Sequence, residues 1–225
     1  MSKMQEKIKI LKSLNMAGVE WELRDAPISP SPGFVAPMAH VVRSGAGIME
    51  IAKSLAAAPD IIGAIKSFKE HPLFGGAKNT VPPILCAKPK LIVIIDIPSL
   101  ADDNSGTILS GAEGQLFDKM LGAIGLARKD CAIAPLVFWR PAGGRTPTKE
   151  ELSFCRPFID RIIASAPETK ILTLGALAAK ELANATLPRD HGKTFGNVIP
   201  IYRPDFIMAN PPLKRDVWEA IKGLG

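Results

Sequence analysis

LIVIIDIP, Leu91 to Pro98, is an unbroken apolar run closed by an acid and a proline. A strand with one wet face alternates apolar and polar side chains. This run has no polar residue before Asp96, so it reads as a strand buried on both faces. CAIAPLVF (Cys131 to Phe138), KILTLG (Lys170 to Gly175) and VIPIY (Val198 to Tyr202) repeat the pattern downstream. Stretches with helical spacing separate them. Glu113 to Leu126 carries Leu116, Phe117, Met120, Leu121 and Ile124 on one stripe. TPTKEELSFCRPFIDRIIASAP opens with Thr148 as N-cap and places Glu150 and Glu151 in the first turn, where the helix dipole favours anions. Ala176 to Asn184 follows KILTLG directly, and Pro212 to Leu224 reads as a closing helix. Strand alternating with helix implies parallel pairing through right-handed crossovers. The expected fold is therefore α/β, a three-layer α/β/α arrangement around a central four-stranded parallel sheet. Ligands in such sheets bind beyond the carboxyl ends of the strands. The loops after Asp96, Phe138 and Tyr202 become the candidate site.

Upstream the texture changes. Ile48 to Ala57 and Pro59 to Lys69 read as helices, the second with Pro59 in its first turn, and His71 to Pro83 reads as loop. Lys3 to Met16 sets Ile8, Leu11 and Leu14 between lysines, an amphipathic helix ending at Gly18. APISPSPGFVAP, Ala26 to Pro37, is too rich in proline for helix and reads as an extended linker. The expected division is a helical, proline-rich extension over residues 1–80 and the α/β domain over residues 81–225.

Composition narrows the function classes. Of 225 residues 47% are apolar, enough for a core, and only 6% are aromatic, so that core is aliphatic. The formal charge of +6 suits a polyanionic partner and equally suits a soluble enzyme. Cys86, Cys131 and Cys155 form no CxxC pair, which excludes a disulfide framework and a zinc site. The N-terminus is charged and lacks an apolar signal core, and no apolar run is long enough for a bilayer. A cytoplasmic protein with no membrane contact is expected.

Five ordered pieces of the sequence resemble the family 4 uracil-DNA glycosylases. IDIPSLADDNSGTILSGAEGQLFDKML (Ile95 to Leu121) is similar to that family's first motif, with Asp96, Pro98, Asp103, Gly106, Gly111, Gly114, Gln115 and Leu116 in register. WRPAGGRTPTKEELSFCRPF (Trp139 to Phe158), LGALAAKEL (Leu174 to Leu182), RDHGKTF (Arg189 to Phe195) and YRPDFIMANPPLKRDVWEAI (Tyr202 to Ile221) follow in the family's order. The likeness runs from about Leu91 to Gly225, and Trp139 in place of a cluster cysteine resembles the alphaproteobacterial branch.

The resemblance implies a site and a reaction. Base excision extrudes a nucleotide into a pocket and breaks its glycosidic bond, leaving positive charge on the sugar and negative charge on the base. Asp96 falls at the acidic position facing the sugar, where the family has Glu; the alternative is a carboxylate that caps the next turn. Leu109 stands where the family stacks a Phe on the base, and Pro135 where an Asn amide reads its edge. Pro98 lies on the same pocket loop. Arg203 replaces the histidine that holds the oxyanion; a guanidinium can donate there, or can contact phosphate or solvent. His40, His71 and His191 are the other candidates for that histidine's job, and none falls at its position.

For DNA contact the resemblance implies Gly106 and Gly111, whose lack of Cβ permits close approach of main chain to phosphate. Arg140, Arg145, Arg189, Lys193, Lys214 and Arg215 supply positive charge, and Ile207, Met208 and Asn210 are the candidates for a minor-groove wedge. The family's [4Fe–4S] cluster needs four thiolates. Only Cys155 falls on such a position, with His71 and Trp139 on two others, so no cofactor and no metal are expected. The expectation is a monomeric uracil-DNA glycosylase-like repair protein, with DNA as partner and weak or altered activity. A catalytically inactive DNA-binding accessory protein and a nucleoside enzyme reusing the pocket are the alternatives.

Overall fold

The computed structural model describes residues 44–224. The expected N-terminal helix, the proline-rich linker and His40 lie outside them. Four strands, β1 (Leu91–Ile95), β2 (Cys131–Pro135), β3 (Ile171–Leu174) and β4 (Val198–Ile201), form one parallel sheet in the order β2-β1-β3-β4. Every strand residue is buried, as their unbroken apolar character requires.

Helices cover both faces. They are α1 (Gly45–Ala56), α2 (Ile61–Ser67), α3 (Leu100–Ser105), α4 (Gly111–Ala123), α5 (Lys149–Ala164), α6 (Ala176–Ala183), α7 (Pro204–Ala209) and α8 (Leu213–Ile221). Period-two alternation divides the strand side chains between two cores. Ile92, Ile94, Ala132, Ala134 and Ile171 meet α1, α2, α5 and α6 in the upper core. Leu91, Val93, Ile95, Ile133, Leu172 and Leu174 meet α4, α7 and α8 in the lower one. α5 contributes Leu152, Phe154, Phe158, Ile159 and Ile162, each buried, and burying a large apolar side chain contributes roughly 1.5–3 kcal/mol. Through Ala52, Ala56, Ile61, Ala64 and Ile65, α1 and α2 share the upper core.

Local chemistry moves several boundaries from their expected places. α1 starts at Gly45 and not at Ile48, because the Ser44 hydroxyl accepts from Gly47 N at 3.4 Å. α2 starts at Ile61 because Asp60 caps it, accepting from Gly63 N at 3.0 Å; Pro59 therefore precedes the cap and is not in the first turn. β2 ends at Pro135, short of Phe138. Two short helices, α3 and α7, occupy the loops beyond β1 and β4. Thr148 caps α5 as expected, within a full capping box whose other half is Glu151.

Candidate active site

Register brings the first residues beyond the strands to one level. Ile95 lies opposite both Pro135 and Leu174, and Leu174 lies opposite Ile201. Asp96, Gly175 and Tyr202 thus follow three neighbouring strand ends and line one cavity of about 560 Å³, together with Arg203, Phe206 and Asn210. Leu187, Pro188 and Leu213 supply apolar wall.

Asp96 is 9% exposed. Its Oδ1 accepts from Ala178 N at 2.7 Å, so the carboxylate does cap a helix, but α6 beyond the neighbouring strand and not the turn that follows it. Gly175 makes room for it. Its backbone, at φ 122° and ψ 171°, lies in a region nearly restricted to glycine, and a Cβ there would collide with the Asp96 carboxylate. Burial pushes the Asp96 carboxyl up from the ordinary range, while the Ala178 amide and the Arg203 guanidinium pull it down.

Arg203 immediately precedes α7, at its N-cap position but with no side-chain capping bond. Its Nε donates to Asp205 Oδ1 at 3.1 Å, and its Nη2 lies 3.9 Å from Glu113 Oε2. Glu113 sits in the first turn of α4. Its carboxyl is pushed up by burial and by Asp205, with Arg203 opposing. Sequence reasoning missed Glu113; the available signal was an acid beside the glycines of Gly111 to Gly114, at a helix start facing the strand ends.

The other pocket candidates lie elsewhere. Leu109 is 2% exposed, in the lower core, with φ 51°. Its carbonyl accepts from Arg128 Nη2 at 2.7 Å, and a Cβ on Gly114 would collide with that carbonyl. Pro135 is buried on β2, on the far side of β1 from the cavity. Pro98 is buried too, and its carbonyl accepts from Arg140 Nη1 at 2.7 Å. The cavity that holds Asp96 and Arg203 is therefore built without these three. The acids after Pro98 are structural: Asp102 accepts from Ser99 N and Ser110 N, and Asp103 from Lys78 N and Asn79 N.

The DNA-contact candidates divide similarly. Gly106 (φ 68°) and Gly111 (φ 67°) bracket the turn between α3 and α4. Arg145 clamps Glu151 through two bonds of 2.6 and 2.8 Å. Arg189 and Lys193 both pair with buried Asp190. Lys214 is exposed beside Trp218 in a separate apolar groove. Ile207 lies in the lower core at 1% exposure. Met208 is exposed, at 45%. His191 stacks on Tyr202 with centroids 4.2 Å apart and planes at 15°.

A carboxylate and a guanidinium thus share one cavity over the ends of a parallel sheet, and comparison with known proteins assigns the family. The model of the uracil DNA glycosylase superfamily matches residues 82–223, and the chain belongs to that superfamily. Within it the chain is family 4-like. It is 29% identical over 180 residues to the Type-4 uracil-DNA glycosylase of Archaeoglobus fulgidus, covering 74% of this chain and 90% of that protein. The Type-4 enzyme of Pyrobaculum aerophilum is 33% identical over 118 residues, 52% of this chain and 60% of that one. That of Saccharolobus solfataricus is 28% identical over 170 residues, 69% and 79%.

The residues at the family's cluster positions do not fit a [4Fe–4S] group. Cys155 is the one thiol in the upper core, whereas Cys131 lies on the other side of the sheet with Cys86 as its electrostatic neighbour. His71 stacks on Trp139 at 4.7 Å, and its Nε2 lies 3.0 Å from the Glu151 carbonyl and 3.4 Å from Cys155 Sγ. Its Nδ1 accepts from Leu73 N at 3.1 Å, which makes Nε2 the protonated nitrogen. Burial lowers the His71 pKa to about 4 and raises the Cys155 thiol to about 12. A neutral imidazole and a protonated thiol wedged against an indole form an aromatic plug.

Proposed function

We propose that this protein acts on DNA as a glycosylase, hydrolysing the N-glycosidic bond of an extruded base, with uracil as the first substrate to test and an activity slower than its relatives'. The observation that carries this is the shared cavity of Asp96 and Arg203. In the reaction the C1′–N1 bond breaks and its electron pair leaves with the base. Asp96 as carboxylate stabilises the cationic sugar and orients the water that adds at C1′, whose proton passes to solvent or to the carboxylate. Arg203 donates to the oxyanion that develops on the base. The names of the Type-4 relatives support uracil as substrate.

The slower rate is inferred from Arg203 itself. A guanidinium engaged by Asp205 and facing Glu113 has less of its charge to offer the leaving base. A DNA-binding protein without catalysis is the second reading, favoured by the placement of Leu109 and Pro135 outside the cavity. Single-turnover assays on uracil-containing single- and double-stranded oligonucleotides separate the two. Excision is expected, falling about 100- to 10,000-fold in Asp96→Asn and about 100-fold in Arg203→Ala. Excision that survives Asp96→Asn, or its complete absence in the parent, contradicts the proposal.

A further inference from the structure

We propose that the extruded base stacks on Phe206, which moves the flat recognition surface of this protein from the first motif loop to α7. The inference rests on the functional proposal above, since it presumes a base in the cavity. Leu109 offers no ring and lies in the core, so a base entering beside Asp96 and Arg203 meets other side chains. Tyr202 and Phe206 are the aromatic rings that line the cavity. The Tyr202 ring is flanked by His191 at 4.2 Å, and Phe206 lies against Tyr202 at 5.3 Å with planes at 40°. Phe206 is the open end of this ladder: 49% exposed, its ring has a face left for a ligand.

The main chain of Phe206 is held by its neighbours: its amide donates to Asp205 Oδ1 at 2.8 Å, and its carbonyl accepts from Asn210 Nδ2 at 2.9 Å. A phenylalanine ring lining the same cavity as a guanidinium gives a flat apolar face near a donor, which suits a nucleobase with an oxyanion on its edge. The neighbouring Arg203 is one residue before Pro204 at the start of the same helix, so platform and donor move as one unit.

The test compares two single-stranded oligonucleotides by fluorescence anisotropy at low salt. One carries a central 2′-fluorinated deoxyuridine, which resists cleavage; the other carries a tetrahydrofuran abasic analogue at the same position. The parent is expected to bind the uracil strand about tenfold more tightly than the abasic one, the scale of one base–aromatic stack. Phe206→Leu should erase that difference while leaving abasic-strand affinity unchanged, and Phe206→Tyr should restore it. Because the ring is half exposed, the leucine leaves the cores intact. A parent that fails to discriminate overturns the functional proposal itself. A Phe206→Leu protein that still discriminates, or that weakens on both strands equally, overturns only this inference.

Discussion

Asp96 concentrates the conflict between stability and function in one side chain. Its folded pKa is raised, chiefly by burial, so the stability its neutral form provides is fully present below the ordinary carboxyl range and is lost as pH rises through the folded value. Asparagine never ionises and still offers Oδ1 to the Ala178 amide. Asp96→Asn should therefore melt higher than the parent at pH 8, with the gap closing toward pH 4, while its excision collapses; a lower melting point at pH 8 would contradict this. Asp96 and Arg203 were legible because the family resemblance marks their positions, and the buried strands had already marked the loops that carry them as strand ends. Leu109 was not. A leucine at φ 51° lies in the lower core, and no spacing rule announces a positive φ at leucine. Glu113 escaped notice because its partner, Arg203, lies on a strand-end loop far along the chain.

At the scale of elements, the start of α5 shows how a predicted contact becomes a brace. Thr148 was readable as the cap, with Glu150 and Glu151 in the first turn; the capping box that joins Thr148 to Glu151 was not. Arg145 looked available for phosphate, yet its fork grips Glu151, whose carboxyl it holds down at about 2. A carboxyl depressed in this way stabilises the fold fully above its unfolded value of 4.5, and that stability is lost as pH falls toward 2. Arg145→Ala should lower the urea midpoint at pH 7, and the difference from the parent should shrink as pH falls below about 4.5. It should barely alter the salt dependence of DNA binding, because a guanidinium already paired releases few counterions. A steep drop in the salt slope without loss of stability would return Arg145 to the DNA surface. The strands were legible to within a few residues, while α3 and α7 were not: each is only six residues long, α3 opened by the Ser99–Asp102 capping box and α7 by Pro204 at its first position.

Across the whole molecule, two cores divided by the sheet determine where chemistry can occur. The upper core closes around His71, Trp139 and Cys155, and the lower one takes Leu109 and Ile207. The layer count followed from unbroken apolar strands, but the order β2-β1-β3-β4 is not written in any local pattern. That order puts Pro135 across β1 from the cavity. The plug also sets an acid limit. With His71 lowered from 6.5 to about 4, stability present above pH 6.5 is lost as pH falls toward 4, by on the order of 3 kcal/mol. Unfolding free energies at pH 7 and pH 4.5 should show this loss, and His71→Phe should flatten the slope; an unchanged slope would mean the ring is not buried neutral. The central claim is that one base enters the cavity over β1, β3 and β4. A crystal structure with DNA carrying 2′-fluorinated deoxyuridine tests it most directly. The uracil is expected beside Phe206, with Arg203 on its O2 and Asp96 facing C1′. Uracil lodged over β2 near Pro135, or left stacked in the strand, would contradict it.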